Sequence, residues 1–313
     1  MRILSMSGFV PEHICDTVRF TRYSGERNLS HYCGYASDYI SQVLYDDSID
    51  GAVFPKSCDS TRIISSYLSP SGKFLYQFHI PPYGAAGGED FFAASIRQYK
   101  EEVERYYHIE ICDIRERVDK INRRNRQIAR LYENIAGVSY GEYFESIHHM
   151  LCQPLSEQNA DFQPEIRKPT EKKVFLAGSF LSNTEIVRII EESGLTIVGD
   201  TLTESGRLAS TPPVVSREDI YREIARSILS QRLSPTQNSF REIVERDMEE
   251  IRRKGVKGVI FVTQKYCEPY DYLYPVYRDV MEGMGVDMLK LSLNDTEDGR
   301  KVALAVEAFA DTL

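Results

Sequence analysis

Gly51-Ala52-Val53-Phe54-Pro55-Lys56-Ser57-Cys58 is the stretch that decides the fold. A short, uninterrupted apolar run of this length reads as a buried strand, and the proline ends it. A cysteine follows directly. On the N-terminal side, Ile3–Met6 is a first apolar strand, and Tyr39-Ile40-Ser41-Gln42-Val43-Leu44 continues a helical pattern begun near Tyr32. On the C-terminal side, Thr61–Leu68 reads as helix and Lys73–Ile80 as strand. Pro81-Pro82-Tyr83-Gly84-Ala85-Ala86-Gly87-Gly88 is a loop, because proline and glycine sustain neither element.

From Asp90 to about Cys152 the pattern is helical throughout, with Phe91, Ala94, Ile96, Tyr99, Val103 and Tyr106, then Val118, Ile121, Ile128 and Leu131, at helical spacing. Lys168–Lys173 is a polar linker. A second strand–helix series follows. Its strands are Lys173–Ser179, Leu195–Asp200, Val259–Val262 and Val286–Leu291; its helices are Thr184–Glu192, Arg217–Gln231, Ser239–Lys254, Tyr274–Met284 and Gly299–Leu313. Strands alternating with helices of ten or more residues imply parallel sheets. The expected architecture is α/β, with two doubly wound (Rossmann-like) parallel-sheet domains joined by a helical segment. Residues 1–88 form the N-terminal α/β domain, 89–170 the helical segment and linker, and 171–313 the C-terminal α/β domain.

The chain has 313 residues, 42% hydrophobic and 27% charged, enough for one large or two medium cores. A net charge of −9 argues against nucleic acid or an anionic membrane as the main partner. The clusters Arg123-Arg124-Asn125-Arg126 and Arg252-Arg253-Lys254 read as solvated helix faces. No apolar run reaches the roughly 18 residues of a membrane span, and the N-terminus reads as a strand rather than a signal peptide. A cytoplasmic protein with reduced thiols is expected.

Six cysteines are scattered along the chain. Three have their own phrases: His31-Tyr32-Cys33-Gly34-Tyr35-Ala36, Phe54-Pro55-Lys56-Ser57-Cys58-Asp59 and Lys265-Tyr266-Cys267-Glu268-Pro269-Tyr270. Cys58 and Cys267 follow strand-like runs, and ligands of such sheets sit beyond the carboxyl ends of the strands. Three thiolates gathered from strand ends can hold an iron–sulfur cube by three corners and leave the fourth iron open. Taken singly, each is by default a small buried hydrophobe, and that default is applied to Cys15, Cys112 and Cys152. Tetrahedral zinc sites show closely spaced ligand pairs, which are missing here.

These phrases, in this order, resemble those of the 2-hydroxyacyl-CoA dehydratase and benzoyl-CoA reductase family. Val10-Pro11-Glu12 is similar to a phrase near that family's N-terminus, and Lys265–Pro275 is the most specific match. Weaker matches are Asn122 with Asn125-Arg126, Asp200 with Gly206-Arg207, and Glu307-Ala308-Phe309. The chain departs from the family where a Cys-Pro phrase is often found and Ser234-Pro235 stands instead. The helical extension that usually precedes Val10-Pro11-Glu12 is also missing. The resemblance implies a [4Fe–4S] cluster between two domains, held by Cys33 and Cys58 of the first and Cys267 of the second. It also implies ketyl-radical dehydration of an acyl-CoA-type substrate, a related or identical second subunit, and an ATP-dependent iron–sulfur activator. Double-cubane cluster proteins resemble the same family, so an [8Fe–9S] double cubane reducing small molecules is an alternative. A non-catalytic, electron-relay partner subunit is another.

Around these ligands, Glu12 and His13 are candidate proton-transfer groups. Ser7 and Ser57 could approach the open iron or cap a turn. Lys56 and Arg62 could face an anionic substrate or solvent. The pair His148-His149 lies on a helix, where neighbours point apart. Gly84–Gly88 and Gly178-Ser179 are unspecific anion sites.

Overall fold

The computed structural model describes residues 1–6, 8–20, 32–159, 161–181, 183–215, 219–231, 234–293 and 299–313. Ser7, His31 and the first two residues of the expected helix at 217–231 lie outside the described residues. In the first lobe the elements are β1 (Ile3–Ser5), β2 (Thr17–Arg19), α1 (Gly34–Tyr45), β3 (Gly51–Lys56), α2 (Asp59–Arg62), α3 (Ile64–Leu68) and β4 (Phe74–His79). Three helices follow: α4 (Gly88–Tyr107), α5 (Ile114–Glu133) and α6 (Tyr140–Leu151). The second lobe begins with β5 (Lys173–Gly178), α7 (Glu185–Glu192), β6 (Thr196–Asp200) and α8 (Gly206–Ala209), after which α9 (Ile220–Leu229) returns to pack on the first lobe. The second lobe ends with α10 (Phe240–Lys254), β7 (Gly258–Gln264), α11 (Glu268–Gly283), β8 (Asp287–Leu293) and α12 (Gly299–Thr312). Among the described residues no helix is long and apolar enough to cross a membrane.

Both sheets are wholly parallel and share one topology: β2-β1-β3-β4 and β6-β5-β7-β8. In each, the chain reverses its direction of growth between the two central strands, the place where doubly wound sheets open a crevice. The period-two geometry of a strand sends alternate residues to opposite faces, and helices cover both. Ile3 and Val53 enter a core with α4 and α9, while Leu4, Ala52 and Phe54 enter another with α1 and α3. In the second lobe, Val174, Leu176, Ile260 and Val262 face α6, α7 and α12, and Phe175, Ala177, Val259 and Phe261 face α10 and α11.

The structure departs from the sequence reading in several places. Strand β3 runs on through Pro55. The Met6 N–H bonds the Val53 carbonyl, so odd-numbered residues of β3 turn their backbone groups towards β1. The β1 pairing stops at Val53, and Pro55 has no ladder partner to lose. The helical stretch 90–152 is broken at 108–113, where His108 adopts the left-handed conformation and the Glu104 carboxylate accepts the Ile111 N–H. Helix α11 starts at Glu268 rather than Tyr274, because Pro269 sits in the first turn, where its missing N–H costs nothing. Strand β2 and the single turn α8 are too short to leave a periodic signal. Helix α5 serves both lobes, with Ile114 and Val118 in the first core and Ile128 in the second.

Candidate metal centre

Cys33, Cys58 and Cys267 each occupy the cap position before a helix: α1, α2 and α11 respectively. The unsatisfied N–H groups and positive dipole ends of the two longer helices, α1 and α11, favour negative charge there. Local hydrogen bonds fix the caps at Cys58 and Cys267. Ser57 N–H and Cys58 N–H both donate to Thr61 Oγ1 (3.0 Å each), while Thr61 Oγ1 donates to the Cys58 carbonyl (2.9 Å). After β7, Tyr266 takes a left-handed φ of 64° and the Cys267 N–H closes a turn onto the Gln264 carbonyl (3.0 Å).

All three cysteines line one cavity of about 110 Å³. The cavity lies at both crevices at once. Met6 follows β1, Pro55 and Ser57 end β3, Ser179 follows β5, and Gln264 ends β7; all four carboxyl ends contribute to its wall. Gly178 makes the approach of β5 to β7 possible. Its φ is +149° and a Cβ there would lie 2.0 Å from the Val262 carbonyl oxygen, so only glycine fits. Phe180 then crosses the seam, its ring 3.9 Å from Tyr35 and 6.1 Å from Phe20 by centroid, within the first lobe's core. The Gln264 amide holds it by donating to the Phe180 carbonyl (3.0 Å). This apolar contact packs one side of the seam beside Cys33, the buried cysteine of the three.

The thiols feel one another. Cys267 shares a hydrogen bond with Cys33, which with burial and the nearby Cys33 and Cys58 sulfurs raises its pKa well above that of a free thiol. Burial raises Cys58 as well. Both shifts favour the neutral thiol at Cys58 and Cys267, and a positive centre beside them would favour the thiolates. Among the described residues no three or more His, Cys, Asp or Glu side chains close around a single ion position. A cube offers a different iron to each thiolate, so its ligands need not converge on one point. The donor set, all sulfur and at helix caps in an apolar seam, fits a cluster of that kind.

Other side chains of the cavity, read in the sequence only as an unspecific anion site or as weak family matches, gain a place from the structure. The Ser179 hydroxyl lines the cavity, buried and without a hydrogen-bond partner among the described residues. Arg207 lines it too and donates to the Tyr270 hydroxyl (2.9 Å). Asp200 aims this arginine. The buried carboxylate accepts from Leu202 N–H (2.8 Å), Gly206 N–H (2.8 Å), Ser205 Oγ (2.7 Å) and Tyr140 Oη (2.8 Å), which folds the loop into α8. The phrase Asp200…Gly206-Arg207 and the tyrosine three residues beyond Cys267 were the available signals.

Of the remaining candidates, Ser57 reaches the cavity; Glu12 and His13 are not among its lining residues. Glu12 is buried in an ion triad, accepting from Arg19 (2.7 Å) and Arg124 (2.6 and 3.0 Å). Burial works to raise its pKa, but Arg124 and Arg19 outweigh it and hold the carboxyl far below the usual range. His13 is kept neutral by burial, its pKa pushed down to about 4. Lys56 and Arg62 lie outside the lining, and Arg62 pairs with Asp59 at the surface. Burial pushes the Cys15 thiol up to about 11, and it contacts Tyr99 Oη at 3.1 Å, as a core residue does. Cys112 departs from the buried default: it lies exposed in the break between α4 and α5. His148 is buried and His149 exposed, as neighbours on a helix should be.

Two parallel-sheet α/β lobes meeting across a thiol-lined seam define the class: a two-lobed α/β protein with a cavity where its lobes meet. The chain belongs to the family described as 2-hydroxyglutaryl-CoA dehydratase, D-component, which matches residues 1–313. It is 22% identical over 288 residues to the (R)-phenyllactyl-CoA dehydratase beta subunit of Clostridium sporogenes, covering 85% of this chain and 76% of that one. It is 23% identical over 255 residues to a benzoyl-CoA reductase subunit of Thauera aromatica, covering 74% and 66%. It is 19% identical over 308 residues to the lactoyl-CoA dehydratase beta subunit of Anaerotignum propionicum, covering 89% and 80%.

Proposed function

We propose that the chain is the iron–sulfur subunit of a 2-hydroxyacyl-CoA dehydratase-type enzyme, with Cys33, Cys58 and Cys267 holding a [4Fe–4S] cluster between its lobes. One observation carries the reading: three cysteines far apart in sequence line a single cavity where the carboxyl ends of both sheets meet. When bound, such a cluster supplies a low-potential electron and a Lewis-acidic iron corner to a thioester substrate. The chain's own part is to exclude water with Phe180 and Tyr35, to offer negative charge two helix dipoles, and to present hydroxyls to a substrate oxygen. Ser57, Ser179 and Tyr270 are among the hydroxyl residues that line the space, and Arg207 donates to the last of them. The electron would come from an ATP-dependent activator, and a related or identical subunit would complete the enzyme in the cytoplasm. Residues 89–170 would link the two α/β domains.

The test is anaerobic purification with iron and sulfide analysis. About four irons per chain are expected, with most of that iron lost in C33A, C58A or C267A. Negligible iron in the parent protein, or full iron in all three variants, would overturn the reading. Iron near eight per chain would instead favour the double-cubane alternative.

A further inference from the structure

A second concave site lies away from the thiols. Residues 155–159 fold back over α5 and close a cleft of about 510 Å³ against it. That is within the roughly 300–1,000 Å³ typical of small-molecule sites. Lys120, Arg123, Arg124, Arg126 and Arg130 line the cleft, and no carboxylate does among the described residues. This is a notable segregation in a chain whose 47 acidic residues outnumber its 38 lysines and arginines.

The basic groups fall into two sets. Lys120 is paired with Glu116 (2.9 Å). Arg124 forms the floor, pinned by Glu12 and donating to Gln158 Oε1 (2.6 Å), which ties the opposite wall to the helix. Arg123, Arg126 and Arg130 have no carboxylate partner among the described residues; Arg126 bonds only its own helix at the Asn122 carbonyl. Spacings of three and four residues put Arg123, Arg126 and Arg130 over neighbouring turns. The reading of Arg123-Arg124-Asn125-Arg126 as a solvated helix face therefore misses its opposite wall.

We propose that this cleft binds a small polyphosphate: a compact cluster of phosphates engaged by the forked donors of Arg123, Arg126 and Arg130. Guanidinium forks match phosphate oxygens two at a time. The overall negative charge of the protein disfavours a long polyanion such as nucleic acid, which would extend past the cleft. The volume of this open cleft suits a nucleotide-sized ligand, whose phosphates could belong to the 3′-phospho-ADP end of a coenzyme A thioester or to a nucleoside triphosphate.

Isothermal titration of the purified chain at low salt, with inorganic pyrophosphate, ATP and coenzyme A as separate probes, tests the proposal. Saturable binding is expected, weakening steeply with added salt. It should weaken about tenfold or more in R123Q/R130Q and stay unchanged in R278Q. Both altered arginines of the double variant are exposed and have no carboxylate partner among the described residues, so its melting temperature should match the parent's. Tightest binding of coenzyme A would assign the phosphates to a thioester tail, and tightest binding of ATP to a nucleoside triphosphate. No binding of any probe below about 1 mM, or equal affinity in R123Q/R130Q, would overturn the proposal. Iron plays no part in this readout, so the cleft and the metal centre stand or fall separately.

Discussion

Glu12→Gln should unfold the protein more readily rather than slow a proton transfer. The carboxylate is buried and receives three hydrogen bonds from Arg19 and Arg124, whose side chains are 9% and 4% exposed. The amide keeps the shape but removes the only charge that balances two buried guanidiniums in this triad. Breaking a buried pair from one side costs about 3–5 kcal/mol, because the orphaned charge stays desolvated. At about 2–4 °C per kcal/mol for a chain of this size, the melting temperature should fall by roughly 6–20 °C. Circular dichroism melts at neutral pH measure it directly. An E12Q protein melting within about 2 °C of the parent, yet inactive, would refute the argument and return Glu12 to the chemistry.

Acid should destabilise the fold through its buried histidines. Burial holds His13 down to about 4 and His148 down to about 3, against an ordinary value of 6.5. Unfolding then takes up protons below pH 6.5, and stability falls as pH drops from there towards 4 for His13 and 3 for His148. His13 alone is worth about 3 kcal/mol across its window; a melting temperature equal at pH 7 and pH 5 would contradict this. Asp200→Asn should cost at least about 2 kcal/mol, since it disturbs four hydrogen bonds to a buried charge. It should also loosen Arg207, seen as a changed Tyr270 environment in ultraviolet difference spectra. Iron loading of the apo-protein should rise with pH, because Cys58 and Cys267 must lose protons from thiols whose pKa values lie above the free range. Loading that is flat from pH 6.5 to 8.5, on the order of two units around neutrality, would argue against thiolate ligands.

The doubly wound architecture was legible because its central strands are unbroken apolar runs, Val174–Gly178 and Val259–Val262 above all, and helices of ordinary length separate them. The cysteine phrases were legible for a different reason: Cys58 and Cys267 stand just past such runs. What periodicity could not say is which sheet a helix covers. Helix α9 is encoded in the second lobe but puts Ile224, Ala225 and Ile228 into the first lobe's core, and nothing in its amphipathic spacing marks that choice. Glu12 illustrates a second limit. A carboxylate beside a histidine looks the same in sequence whether it serves chemistry or salt-bridges Arg124, 112 positions away. Ser179 and Arg207 reach the cavity through strand-end geometry and through the Asp200 loop, and both devices are visible only when the chain is folded.

The division of the sulfurs between lobes carries a further meaning for the life of the molecule. Two come from its beginning and one from near its end, so anything gripping all three acts as a rivet across nearly the whole polypeptide. Free energy of attachment then becomes free energy of folding. Were the proposed cluster lost, that tie would go with it, leaving the seam to side-chain contacts such as Phe180 on Tyr35.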